Sequence, residues 1–108
     1  LNNQRYLVAL KGNAQKIEVS PNQERLLQSV PFKWTANQWY RLKVRVDVDA
    51  NGAGVVKAKA WKKGDPEPEA WNIEVPHKNA HPNGAPGIYG LAPQEQRAWI
   101  DNILVKAN

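Results

Sequence analysis

The sequence predicts an all-β chain, an antiparallel β-sandwich, on three observations. Polar and apolar residues alternate with period two through Tyr40-Arg-Leu-Lys-Val-Arg-Val-Asp-Val48, as in a strand with one buried face. Short apolar runs recur along the chain, separated by turn-forming residues such as Gly12-Asn13 and Pro21-Asn22. No stretch holds a helical period, although Gln23–Gln28 has room for one turn. Roughly eight short strands at this spacing fit a two-sheet sandwich.

Taken in order, strands are expected over Arg5–Leu10, Gln15–Ser20 and Arg25–Val30. The clearest runs from Trp39 to Val48 and ends in Asp49-Ala-Asn-Gly-Ala-Gly54, where Gly and Asn tolerate the positive φ of a tight turn. Val55–Trp61 returns as the second arm of a hairpin. Pairing Val48 with Val56 would set Val46 against Ala58 and Val44 against Ala60. The outer face would then hold Asp47 beside Lys57, Arg45 beside Lys59 and Lys43 beside Trp61. Trp71, Ile73 and Val75 alternate with Asn72 and Glu74 to give another strand. Between them Lys62–Ala70 is polar and stiffened by Pro66 and Pro68, an exposed loop whose bracketing indoles, Trp61 and Trp71, cover the sandwich edge. His77–Pro86 reads as a long loop, and Gly87–Ala92 and Arg97–Val105 as the last strands.

A length of 108 residues allows one domain at most, and 42% hydrophobic residues suffice for a small core. No apolar run is long enough to cross a membrane, and no signal peptide is visible. With no Cys there is neither a disulfide framework nor a thiolate metal site. The absence of Met and the start at Leu1 suggest a processed or excised piece. Charge is unevenly placed: residues 41–63 carry a net +5 and residues 64–75 a net −4, within a total of +5. A basic hairpin therefore precedes an acidic loop, which is either a solvated face or a surface for anions.

The motifs Asn37-Gln-Trp-Tyr-Arg-Leu-Lys-Val44, Lys57-Ala-Lys-Ala-Trp-Lys-Lys-Gly64, Glu67-Pro-Glu-Ala-Trp71, Gly87-Ile-Tyr-Gly90 and Trp99-Ile-Asp-Asn-Ile-Leu-Val105 follow one another in the chain. Their order and spacing resemble the C-terminal half of a concanavalin A-like lectin/glucanase jelly roll, nearest to the laminin-G-like modules appended to bacterial extracellular proteins. The resemblance spans Phe32 to Val105. Complete members of that family are close to twice this length. The chain thus reads as a single β-sandwich over residues 1–108 or as the C-terminal part of one, and the resemblance favours the second. It also implies an extracellular, periplasmic or cell-surface location.

Glycoside cleavage needs two carboxyls across the scissile bond. The close acids here, Asp47 with Asp49 and Asp65 with Glu67 and Glu69, lie at a turn and in a proline loop, so no enzyme is expected. Asp47-Val-Asp-Ala-Asn-Gly52 imitates the start of a calcium loop, but Ala58 stands where a bidentate Glu is required. Asp101 is a candidate ligand for a structural calcium, on the resemblance alone; otherwise it bonds backbone at a strand entry. His77 and His81 are four residues apart on a loop with no third ligand, which fits an exposed pair. Trp39 and Trp99 are expected in the core or in packing along a strand. Trp34, Trp61, Trp71 and Tyr89 are candidates to stack on sugar C–H faces, with Lys43, Lys57 and Lys59 beside Trp61 to favour an acidic glycan.

The expected function is therefore a non-catalytic accessory module that binds carbohydrate, with no cofactor beyond that calcium. The alternative is a structural domain docked on a larger enzyme or β-propeller, with no ligand of its own. A remnant of a glycan-processing enzyme is a weaker third reading. Nucleic acid could use the same stacking and cations, but nothing else in the sequence supports it.

Overall fold

The alternation over residues 40–48 does become a strand, the first of a meander. In this computed structural model, which describes residues 6–12, 14–21, 28–78, 87–88, 97 and 99–106, six strands form two antiparallel three-stranded sheets. No helix occurs among the described residues. The first sheet orders β1 (Tyr6–Lys11), β2 (Lys16–Pro21) and β3 (Gln28–Pro31). The second orders β4 (Tyr40–Val48), β5 (Gly54–Lys62) and β6 (Ile73–His77).

The two sheets share one core, because the middle strand of each turns its apolar face inward. Ile17 and Val19 of β2 cluster with Val56, Ala58 and Ala60 of β5 and with Ile73 and Val75 of β6. Tyr6, Val8, Leu10, Val30, Phe32 and Val46 pack around them. The chain leaving β3 is fastened to the β1–β2 turn, where the Phe32 N–H donates to the Gln15 carbonyl at 2.8 Å and the Trp34 N–H to Gln15 Oε1 at 2.8 Å. A Cβ on Gly12 would stand 3.0 Å from the Trp34 ring, so a larger residue there would require the indole to shift by a few tenths of an ångström.

Several expectations are corrected. The hairpin register differs by two residues: Val48 faces Gly54, Val46 faces Val56 and Val44 faces Ala58. The turn is shorter than its composition suggests, because Asp49 closes it. The Asp49 N–H donates to the Ala53 carbonyl at 2.8 Å, and its carboxylate accepts from the Asn51 and Ala53 N–H groups at 2.8 and 3.0 Å. A shift of two preserves which face each side chain occupies, so the core assignment survives.

His77 is not a loop residue. It ends β6 in the inward register of Ile73 and Val75, is 3% exposed, and shares a 2.5 Å hydrogen bond between Nδ1 and the Tyr6 hydroxyl. His81 lies outside the described residues.

Arg97–Val105 forms no strand among its described residues. Asn102 has a φ of 54°, which breaks an extended run, and its N–H donates to Asp101 Oδ1 at 2.8 Å. Trp99 and Trp39 are 70% and 49% exposed, so neither belongs to the core. Gly87 and Ile88 carry no strand, and the rest of Gly87–Ala92 lies outside the described residues, as does the greater part of Gln23–Gln28.

Among the described strands, β4 stands last in the order of its sheet. Its even-numbered residues share the side of the buried Val56, Ala58 and Ala60, yet Leu42, Val44 and Val48 are 43%, 44% and 38% exposed. These three side chains thus stand partly in water on the core side of the second sheet.

Candidate functional site

The outer face of the second sheet gathers most of the sequence-predicted binding residues. The register sets Arg41 opposite Trp61, Lys43 opposite Lys59 and Arg45 opposite Lys57. Two of these are like-charge pairs, which destabilise a sheet unless something offsets them. Each has an acid. Glu67 Oε2 lies 3.1 Å from Lys43 Nζ and 2.8 Å from Lys59 Nζ. Arg45 Nε donates to both Asp47 oxygens at 3.0 and 2.9 Å, and Glu74, opposite Lys57 on β6, is 4.0 Å from its ammonium. Arg41 has no ion pair among the described residues.

Lys59 is the centre of this surface, and it is 4% exposed. Its ammonium donates to the Pro68 carbonyl at 2.6 Å, and lies 4.7 Å from the Trp71 ring centroid and 5.9 Å from that of Trp61. The two indoles bracket the acidic loop because they wall in the lysine that the loop neutralises. Cation–π attraction adds roughly 0.5–2 kcal/mol per desolvated contact of this kind. The loop's exit is pinned by Asn72, whose Oδ1 accepts from the Ala60 N–H at 2.9 Å and whose N–H donates to the Ala58 carbonyl at 3.0 Å.

Lys59 first, and Lys43 after it, hold the Glu67 carboxyl below its ordinary value of 4.5. An acid with a depressed folded value contributes stability that is present above its unfolded value and lost as pH falls through the folded one. Glu67→Gln should therefore lower the thermal midpoint at neutral pH. The gap to the parent chain should close as pH drops below 4.5, which thermal melts across that range would show. A gap independent of pH would contradict the ion pairing.

Trp61, Trp71, Lys43, Lys57 and Lys59 thus meet on one face, but Lys59 is already engaged inside the protein. Trp34 joins a different group, edge-on to Tyr40 at 5.9 Å, which is in turn edge-on to Phe32 at 5.9 Å. Tyr89 lies outside the described residues. Asp101 is exposed, and no group of three or more His, Cys, Asp or Glu residues able to hold a metal occurs among the described residues.

No protein-family model, curated protein or solved structure matches this chain.

Arg41, an outward position of β4 in the sequence pattern, is set directly against Trp61 by the observed register. Sequence reasoning missed one residue. Trp39 is exposed where β4 begins, its carbonyl accepting from the Lys63 N–H at 2.8 Å. The same period-two count assigns residue 39 to the outward row, so that signal was available. Chemically, the surface offers cations beside indole, and its described acids Asp47, Glu67 and Glu74 are held by bases.

Proposed function

We propose that this chain is a non-catalytic accessory β-module that docks on another polypeptide through the uncovered inner face of β4. The observation that carries this reading is the exposure of Leu42, Val44 and Val48 on the side that buries Val56, Ala58 and Ala60. Apolar side chains left in water gain about 25 cal/mol per Å² when covered. The resemblance to laminin-G-like jelly rolls fits a module attached to a larger extracellular enzyme or β-propeller.

Nile red, a neutral apolar dye, should fluoresce with the parent chain and not with a Leu42→Lys/Val44→Lys variant. That variant should keep its stability within about 0.5 kcal/mol, as exposed substitutions do. Unchanged dye emission, or unfolding of the variant, would refute an open docking face.

A second reading, acidic-glycan binding by the outer face, is favoured by Arg41, which stands opposite Trp61 without an acid among the described residues. Acidic polysaccharides would then bind in the micromolar to millimolar range, more weakly as salt screens the cations. Trp61→Ala would remove that binding. Titrations at two salt concentrations decide it, and indifference to both salt and Trp61 rejects this face.

A further inference from the structure

On the outer face, two cations near the start of β4 are left over once the acids have been assigned. Arg41 stands opposite Trp61. The Lys63 N–H donates to the Trp39 carbonyl at 2.8 Å, which carries the same register one pair further and sets Lys63 opposite Trp39. Positions 39, 41, 61 and 63 are thus the corners of one outward patch, opposed corners about 5 Å apart and diagonal ones about 7–8 Å. The indoles hold one diagonal and the cations the other.

These corners are accessible. Trp39 is 49% exposed, Arg41 and Lys63 are exposed, and Trp61 is half-buried. No carboxylate among the described residues is in ion-pair distance of Arg41 or Lys63. The Lys59 ammonium lies 5.9 Å from the Trp61 ring centroid, so that ring is partly ordered by the protein before any ligand arrives. A ring with an apolar C–H face and one anionic group matches the patch, because the guanidinium and ammonium give charge-assisted hydrogen bonds to such an anion.

The rest of the row limits how much charge the ligand carries. Beyond Arg41, Glu67 engages Lys43 and Lys59, and Asp47 engages Arg45. A polyanion lying along β4 would run into these carboxylates, whereas a single anionic group at the patch avoids them. Single-stranded nucleic acid fits poorly for the same reason, since its phosphates need a continuous cationic track.

Resting on the acidic-glycan reading, we infer that Trp39, Arg41, Trp61 and Lys63 form a subsite for one acidic sugar, a uronate or a sulfated residue at a chain end or among neutral sugars. The indoles stack on C–H faces, and Arg41 and Lys63 take the anion.

The test follows the indole N–H signals of the five tryptophans in the nitrogen-15-labelled 108-residue chain. Methyl β-glucuronide and glucose 6-sulfate are titrated beside neutral methyl β-glucoside, and binding of one anion but not the other names its source. The acidic sugars should shift Trp39 and Trp61 and leave Trp34 and Trp99 still, and the glucoside should bind about tenfold more weakly or less. Arg41→Gln and Lys63→Gln should each weaken binding about fivefold, the upper end for an exposed charge pair. Trp39→Ala should remove binding, with circular dichroism unchanged in all three variants. Equal binding of the glucoside, or shifts at other indoles alone, would overturn the subsite. If hexagalacturonate still bound in a Trp61- and salt-dependent way, the glycan reading would stand without it. Hexagalacturonate bound more than about tenfold tighter than the glucuronide, and weakened by Lys43→Gln, would overturn the limit to one charge. No binding of any saccharide would overturn both the subsite and the glycan reading. An oligothymidylate that bound tighter than hexagalacturonate and shifted Trp39 would replace the sugar with single-stranded nucleic acid.

Discussion

Ile17→Ala is expected to cost about 2–5 kcal/mol of folding stability, the usual range for emptying a well-packed aliphatic site. Ile17 is 0% exposed, and its cluster includes residues of β5 and β6 on the other sheet. The cavity would sit between the sheets, where neither can relax without parting from the other. For a domain this small such a loss is a large share of the total. Leu42→Ala, of similar chemistry, should cost no more than about 0.5 kcal/mol, because its side chain is half in water. Urea denaturation of both variants checks the contrast. A small effect at Ile17, or equal effects at the two sites, would mean that the sheets do not share the core described.

Lys59→Met should cost roughly 1–3 kcal/mol, the penalty for leaving a buried polar group without its partner. The substitution keeps an unbranched chain between Trp61 and Trp71 but leaves the part-buried Pro68 carbonyl without its ammonium donor. It also removes the base 2.8 Å from Glu67, so the loop between β5 and β6 loses its anchor. Tryptophan emission should shift as the indoles lose the cation. Lys57→Met is the control: its partner Glu74 is 4.0 Å away and half in solvent, so its effect should stay within about 0.5 kcal/mol. Equal stabilities of the two variants in denaturant would deny Lys59 its central place.

Much of this fold was legible because period two survives in the strands that build the core. Val56, Ala58, Ile73 and Val75 alternate with charged or polar residues, and all four are buried. The register was less legible, since composition alone does not reveal that the Asp49 carboxylate closes the turn early. His77 was misread because Pro76 and the polar residues after it suggest a loop, whereas its inward position follows from counting on from Val75. For the outer face, the sequence disclosed the charge complementarity between hairpin and loop. The pairing of Lys59 with Glu67 was hidden, because three acids alternate through that loop and only its folded path chooses among them. Trp39 and Trp99 show why large apolar residues are poor guides to a core: burial depends on what lies opposite, and nothing in a residue's type states that.

Amide hydrogen exchange along β4 tests the docking face most directly. In the isolated chain, the Leu42 and Val44 N–H groups should exchange fast, while Lys43, bonded to β5, and Val56 and Ala58 in the middle strand should be slow. Slow exchange at Leu42 and Val44 in the isolated monomer would show that the edge is already paired, and would contradict a docking face on β4.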